Sequence, residues 1–323
     1  MKNYSAPDSK NWTGRIDDPL NQKTFRIHQS ISYIDMNLEE LPQANGTSFV
    51  LLGFCCDEGI RRNQGRVGAA HGPKFIRKAL GPIPWNTQKP IFDAGDVTCE
   101  NEDMEAAQDL LSSLTARMLD KGYFPLVMGG GHEVAFGHFK GFRKHIEKKE
   151  KNSWGIVNMD AHFDLRPVRD MGNSGTGFSQ IADLSREKGD RFRYMVLGIQ
   201  RSGNTELLFN RADSLGVTYL TATELYEPSE TSEEIIQDFI APCDHLYLTL
   251  CSDVFSTAYV PGVSAPQPLG LAPQRILALM ASIIASGKVR CMDVAEISPA
   301  YDHDERSSRI AALMLYEVMQ LMS

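Results

Sequence analysis

From Phe49 onward the chain alternates short apolar runs, rich in β-branched residues, with longer stretches in which apolar positions recur every three or four residues. The first pattern belongs to strands buried on both faces and the second to amphipathic helices. Their alternation predicts a parallel sheet with helices covering both sides. Eight runs read as strands: Phe49–Cys55, Ile91–Ala94, Phe124–Met128, Gly155–Met159, Tyr194–Ile199, Thr218–Leu220, Leu246–Leu250 and Val289–Val294. Helix candidates lie between them at Pro73–Leu80, Asp103–Asp120, Phe136–Lys149, Thr205–Leu215, Ser232–Ile240, Pro273–Ala285 and Arg306–Met322, the first with proline in its opening turn. No repeat of fixed length is present, which excludes a solenoid or propeller. Eight strands can close into a barrel or lie open, and the pattern alone allows both. Residues 1–47 are polar and irregular, broken by Asp17-Asp18-Pro19 and Asn45-Gly46. They read as an arm packed on a single domain spanning 48–323.

Composition narrows the function classes. With 33 Lys+Arg against 41 Asp+Glu the net charge is −8, and the longest basic run is the short Lys144–Lys151 segment. Nucleic-acid binding through counterion release needs a basic face that this chain lacks. No segment reaches the ~18 uninterrupted apolar residues of a membrane span. Met1-Lys2-Asn3-Tyr4-Ser5 opens without the apolar stretch of a secretory signal. A soluble, cytoplasmic protein with neither a nucleic-acid nor a membrane partner is therefore expected. Cys55, Cys56, Cys99, Cys243, Cys251 and Cys291 contain no CxxC spacing and read as buried thiols.

Functional side chains of α/β sheets collect beyond the carboxyl ends of the strands. Four predicted strand ends carry acids, imidazoles or a thiol: Gly129-Gly130-Gly131-His132-Glu133, Asp160-Ala161-His162-Phe163-Asp164, Cys251-Ser252-Asp253 and Ala295-Glu296. If the backbone stays extended through Asp160-x-His162-x-Asp164, all three side chains share one face. Carboxylates that close raise each other's pKa unless a cation stands between them. His132 and Asp253 would bring the set to five N/O donors, too many for one tetrahedral zinc and suited to Mn²⁺ or a similar ion in a two-metal site. Taken alone, His132 reads as a loop residue satisfied by a carbonyl; taken with the other strand ends, it reads as a ligand. The glycine run lacks the spacing of a phosphate-binding loop, so its role is close backbone approach that aims His132 into the crevice.

At these residues the chain resembles the ureohydrolases, the family of arginase, agmatinase and formimidoylglutamase. The likeness rests on the four strand-end segments, on Pro261-Gly262-Val263-Ser264-Ala265-Pro266, on Asp293-x-x-Glu296 and on Gly68-Ala69-Ala70-His71-Gly72-Pro73. It runs from about Phe49 to the C-terminus. It implies a three-layer α/β/α fold with an open, mostly parallel eight-stranded sheet, a homo-oligomer, and a binuclear manganese centre. His132, Asp160, His162, Asp164 and Asp253 match its ligand positions, with Asp160 bridging. Within the family, Arg61-Arg62-Asn63-Gln64-Gly65-Arg66, Asp164-Leu165-Arg166 and the leading Trp12-Thr13-Gly14-Arg15 and Arg26-Ile27-His28-Gln29 are most similar to formimidoylglutamase. That branch hydrolyses N-formimidoyl-L-glutamate to L-glutamate and formamide in histidine degradation, using hydroxide generated at the metals.

The resemblance breaks at two places. Cys251 stands where the family commonly has a bridging Asp. It is either a soft ligand that shifts metal preference or an unligated thiol beside a single well-bound ion. Phe178 stands where arginases place a histidine, so that proton shuttle is missing. For the reaction, Asp164 is the candidate to carry a proton to the departing amine and Glu296 the candidate to orient the amidinium. Arg166 is the leading partner for a substrate carboxylate, with Arg61, Arg66 and Thr176 as further substrate contacts. Two alternatives remain at this level: a ureohydrolase releasing urea from agmatine or arginine, and a metal-poor, non-catalytic homologue.

Overall fold

The continuous apolar runs become strands whose side chains are buried on both faces. The computed structural model describes residues 1–87 and 89–322. Among them, ten strands form one sheet: β1 (Tyr4–Ser5), β2 (Ser32–Tyr33), β3 (Phe49–Cys55), β4 (Ile91–Thr98), β5 (Phe124–Met128), β6 (Trp154–Met159), β7 (Tyr194–Ile199), β8 (Thr218–Thr221), β9 (His245–Cys251) and β10 (Val289–Ala295). Their order is β1-β4-β3-β5-β10-β9-β6-β7-β8, with β2 also pairing β4. The path does not close, so the sheet is open rather than a barrel. The arginase-type α/β arrangement expected from the sequence is present.

The eight expected strands all form, but the expectation of eight is corrected to ten. Residues of the arm add β1, antiparallel to β4, and β2, parallel to β4. Without them β4 would expose an unpaired row of backbone donors and acceptors. The arm is fastened by Trp12, whose indole donates to Asp93 Oδ2 at 2.7 Å. Asp93 is itself fully buried against the Arg77 guanidinium, at 2.8 Å and 3.0 Å.

All seven expected helices form, within a few residues of the expected bounds. Outside the expected set lie three short helices, Ile27–Ser30, Glu58–Arg62 and Ala222–Leu225, and one longer helix, Gly177–Lys188. Its core-facing side includes Ser179 and Ser185, so the apolar period that marks a buried helix face is interrupted there. Helices such as Met104–Asp120 and Val134–Ile146 pack on one another and on the sheet, giving an apolar core on both of its faces.

The register decides where the chemistry goes. Val294 pairs with both Met128 and Leu250, Met159 also pairs with Leu250, and Ala295 pairs with Cys251. The carboxyl ends of β5, β10, β9 and β6 therefore finish at one level, side by side. Because the chain leaves β5 and next enters the sheet at β6, with β10 and β9 lying between the two, a crevice opens at these strand ends.

Candidate metal centre

The glycine run after β5 is held against its neighbours by close backbone approach. Gly129 N–H donates to Val294 O at 2.7 Å, and Gly131 N–H to Cys56 O at 2.9 Å. A Cβ on Gly130 would lie 1.7 Å from Cys56 O, so no other residue fits. This turn delivers His132 into the crevice, where its N–H donates to Glu296 Oε1 at 2.9 Å.

A buried chain of hydrogen bonds then fixes the imidazole. Asp293 Oδ1 accepts from the Thr249 hydroxyl at 2.6 Å; its Oδ2 is met by His138 Nδ1, also at 2.6 Å, and by the Tyr247 hydroxyl. With its hydroxyl hydrogen directed at the carboxylate, the Thr249 oxygen accepts from His132 Nε2, 3.0 Å away. Nδ1 is thereby left to face Asp160 Oδ2 at 3.0 Å and Asp164 Oδ2 at 2.9 Å. An imidazole oriented through its far nitrogen in this way is the usual support of a metal-ligating histidine.

After β6 the backbone does not stay extended, contrary to the expectation for Asp160-x-His162-x-Asp164. Asp160 Oδ1 accepts the His162 N–H at 2.7 Å, closing a tight turn, and Asp164 adopts φ +48°. The segment wraps around the site instead of presenting one face. His162 Nδ1 consequently meets Asp253 Oδ2 at 3.0 Å, while Asp164 reaches the His132 side. Within the site Glu296, at φ +70°, is likewise a non-glycine residue in the left-handed region. Each such residue costs about 1–2 kcal/mol, a strain that clusters where side-chain direction matters.

Two groups of donor atoms result. His132, Asp160 and Cys251 offer ligand atoms that all lie within 4.8 Å of one another, as do Asp160, His162 and Asp253. Asp160 belongs to both. Among the described residues no lysine or arginine hydrogen-bonds Asp160, Asp164 or Asp253. The imidazoles are the cationic partners, and the titration behaviour shows the imbalance. Burial disfavours charge on His132 and His162, yet the surrounding carboxylates push both well above the ordinary imidazole value. Asp160, despite burial, is held low by the two imidazoles. Burial and the charge of Asp160 push Asp164 up to about 6 and also raise Asp253. Burial, with Asp160 and Asp253 close by, raises the Cys251 thiol well above its usual range. Burial, reinforced by Asp253, lifts Glu296 to about 7. The donor set of carboxylates and imidazoles fits divalent cations, which would supply the missing positive charge.

The centre lies in a cavity of about 200 Å³ lined by His132, His162, Asp164, Cys251, Asp253 and Glu296 together with Arg166. Sequence reasoning had not singled out Asn63, Ser174, Asn204 or Ser264, which also line it. Asn63 and Ser264 lie in the flagged Arg61–Arg66 and Pro261–Pro266 segments and Ser174 in the loop leading to Phe178, whereas Asn204 carries no signal of its own. Phe178 is buried edge-on to the His132 ring, 5.5 Å between centroids, and is a packing residue. Three substrate contacts anticipated from sequence are not brought to this cavity. Thr176 is buried, its hydroxyl engaged with Asn173 and Gln180. Arg66 donates to Val263 O and Ser264 O and lies over the Tyr301 ring. Arg61 is paired with Glu58 and Glu102 and lines a neighbouring outer recess rather than this cavity. Each has local partners that a linear reading cannot see.

Comparison with known proteins agrees with this architecture. Residues 47–320 match the model of the Arginase family. The formimidoylglutamase of Clostridium tetani is 42% identical over 323 residues, covering 98% of this chain and 96% of its relative. That of Aeromonas hydrophila is 42% identical over 324 residues, covering 99% and 100%. Among solved structures, formimidoylglutamase from Bacillus subtilis superposes with a TM-score of 0.81 at 21% identity over 94% of this chain and 93% of that one. Trypanosoma cruzi formiminoglutamase, solved with Mn²⁺, superposes with a TM-score of 0.75 at 26% identity over 84% and 92%.

Proposed function

Since the chain belongs to the arginase family, we propose that it is a hydrolase converting N-formimidoyl-L-glutamate to L-glutamate and formamide at a centre for two divalent ions. The observation that carries this reading is the pair of donor groups sharing Asp160. Full-length similarity to formimidoylglutamases supports the substrate. A manganese-type site is consistent with the hard oxygen and imidazole donors and with the Mn²⁺ of the T. cruzi relative.

His132, Asp160 and Cys251 would hold one ion, with Asp164 beside them, and Asp160, His162 and Asp253 the other. Bound there, the ions supply Lewis acidity that lets water act as a nucleophile near neutral pH. Ligation through Cys251 requires loss of a proton from a thiol that burial and nearby carboxylates hold back. The ion on that side is therefore the weaker one for manganese and the one a softer metal would gain most from.

The protein's own groups handle the substrate. The amidinium carries positive charge, and Glu296 Oε2, hydrogen-bonded to the Ser264 hydroxyl, faces the cavity to orient it. Addition of water at the amidine carbon forms a C–O bond, and rupture of the bond from that carbon to the glutamate α-nitrogen releases formamide. Asp164, which lines the cavity beside His132, takes the proton from the attacking water and returns it to the departing α-amine. Arg166 lines the cavity with no carboxylate partner among the described residues and offers a partner for a substrate carboxylate. Agmatine has no such group, which disfavours a guanidino substrate of that type.

The test is product analysis with purified, manganese-loaded protein: formamide from N-formimidoyl-L-glutamate, with urea from arginine and agmatine followed in parallel. Formamide without urea is expected. Urea release, or no product from any of the three, would overturn the assignment.

A further inference from the structure

Beyond the metal centre the cavity continues into an outer recess of about 620 Å³, and the two share Asn63, Arg166 and Leu208. The recess is lined by four arginines, Arg61, Arg62, Arg166 and Arg169, with Asp170 as its acidic residue. In a chain of net charge −8 this concentration of guanidinium groups is unusual, but the four are not equivalent. Arg61 is neutralised by Glu58 and Glu102, and Arg62 by Glu58 and Glu105. Arg166 and Arg169 have no hydrogen bond or ion pair to any acid among the described residues, Asp170 included. One stands at the mouth of the cavity and in the recess; the other stands in the recess alone.

This pair of free cations matches the substrate class read above, on which the inference rests. N-formimidoyl-L-glutamate carries its α-carboxylate next to the reacting nitrogen and its γ-carboxylate two methylenes further out. With the amidine carbon at the metal centre, one carboxylate remains near the cavity mouth and the other extends into the recess. We propose that Arg169 is a specificity-determining residue that binds the outer carboxylate of a dicarboxylate substrate, while Arg166 serves the inner one. Arg61 and Arg62 hold the wall through their acids and do not bind substrate. The division also explains how a site built on an acidic protein accepts a dianionic tail: two unpaired guanidinium groups offset its charge where it lies.

The experiment compares the wild-type protein with Arg169→Gln and Arg169→Lys on two ligands that differ in the outer carboxylate. Turnover is followed with N-formimidoyl-L-glutamate and with N-formimidoylglycine. Binding of the amino-acid products L-glutamate and glycine to the manganese-loaded protein is measured by calorimetry. Arg169→Gln should raise KM for the glutamate derivative about tenfold or more with kcat nearly unchanged, the loss expected when one charge-assisted contact is removed. It should weaken L-glutamate binding similarly and leave both glycine ligands unaffected, with Arg169→Lys recovering part of the loss. Equal effects on both ligand pairs, or no change with L-glutamate, would overturn the role of Arg169. The calorimetric arm decides this even if wild-type protein forms no formamide, an outcome that would instead count against the proposed reaction.

Discussion

Replacing Thr249 with Val tests whether the buried hydrogen-bond chain behind His132 does what its geometry requires. Valine keeps the branched shape and deletes the hydroxyl that stands 3.0 Å from His132 Nε2 and 2.6 Å from Asp293 Oδ1. Asp293 keeps His138 and Tyr247 as donors, so the metal-free fold should lose stability near the low end of the ~1–3 kcal/mol cost of a weakened buried polar group. His132 loses the contact that fixes its orientation toward Asp160. Removing such a support typically costs about 10–100-fold in metal affinity. At about 1.4 kcal/mol per factor of ten, that is about 1.4–2.8 kcal/mol. Free Mn²⁺ is counted by electron paramagnetic resonance during titration of both proteins, with urea unfolding of the metal-free forms alongside. An affinity within twofold of wild type, whatever the stability, would refute the orienting role of Thr249.

Other consequences follow from the same geometry. Asp160→Asn should reduce occupancy at both ion positions, whereas Asp253→Asn should spare the His132 side; metal content after gel filtration separates the two, and equal losses would contradict the shared-ligand arrangement. In the metal-free protein both His132 and His162 have folded pKa values raised well above 6.5. Their contribution to stability is therefore fully present below about pH 6.5 and is lost as pH rises through the raised values. Metal must displace those protons, so Mn²⁺ affinity should rise with pH and loading near pH 7 should release protons, visible as buffer-dependent heats in calorimetry. Arg77→Met removes one partner of the fully buried pair with Asp93, to which Trp12 is also bound. A loss of about 3–5 kcal/mol in urea unfolding is expected, with easier proteolysis of the arm.

The interior strands were legible because each is buried on both faces and so leaves a continuous apolar run, as in Val50-Leu51-Leu52 of β3. The two-residue strands β1 and β2 were not, because they are defined by the exposed edge of β4 rather than by any pattern of their own. The ligand set could be read because the chain ends its strands with unusual residues, and parallel register brings those ends together. The turn at Asp160–His162 was misjudged because local hydrogen bonding outweighed continuation of the strand. The supporting residues Thr249, His138 and Tyr247 carried no visible signal. A buried threonine or tyrosine in a strand looks like ordinary core until its partner across the sheet is known. Arg61 and Arg66 attracted attention as cations, but their partners, Glu102 and the Val263 and Ser264 carbonyls, are distant in sequence. The unpaired Arg169 could be recognised only after those pairings were seen.

The most direct test of the two-ion centre is anomalous diffraction at the manganese edge from metal-loaded crystals. Two peaks are predicted, both against Asp160, one bounded by His132 and Cys251 and the other by His162 and Asp253. A single peak, or two that do not share Asp160, would contradict it.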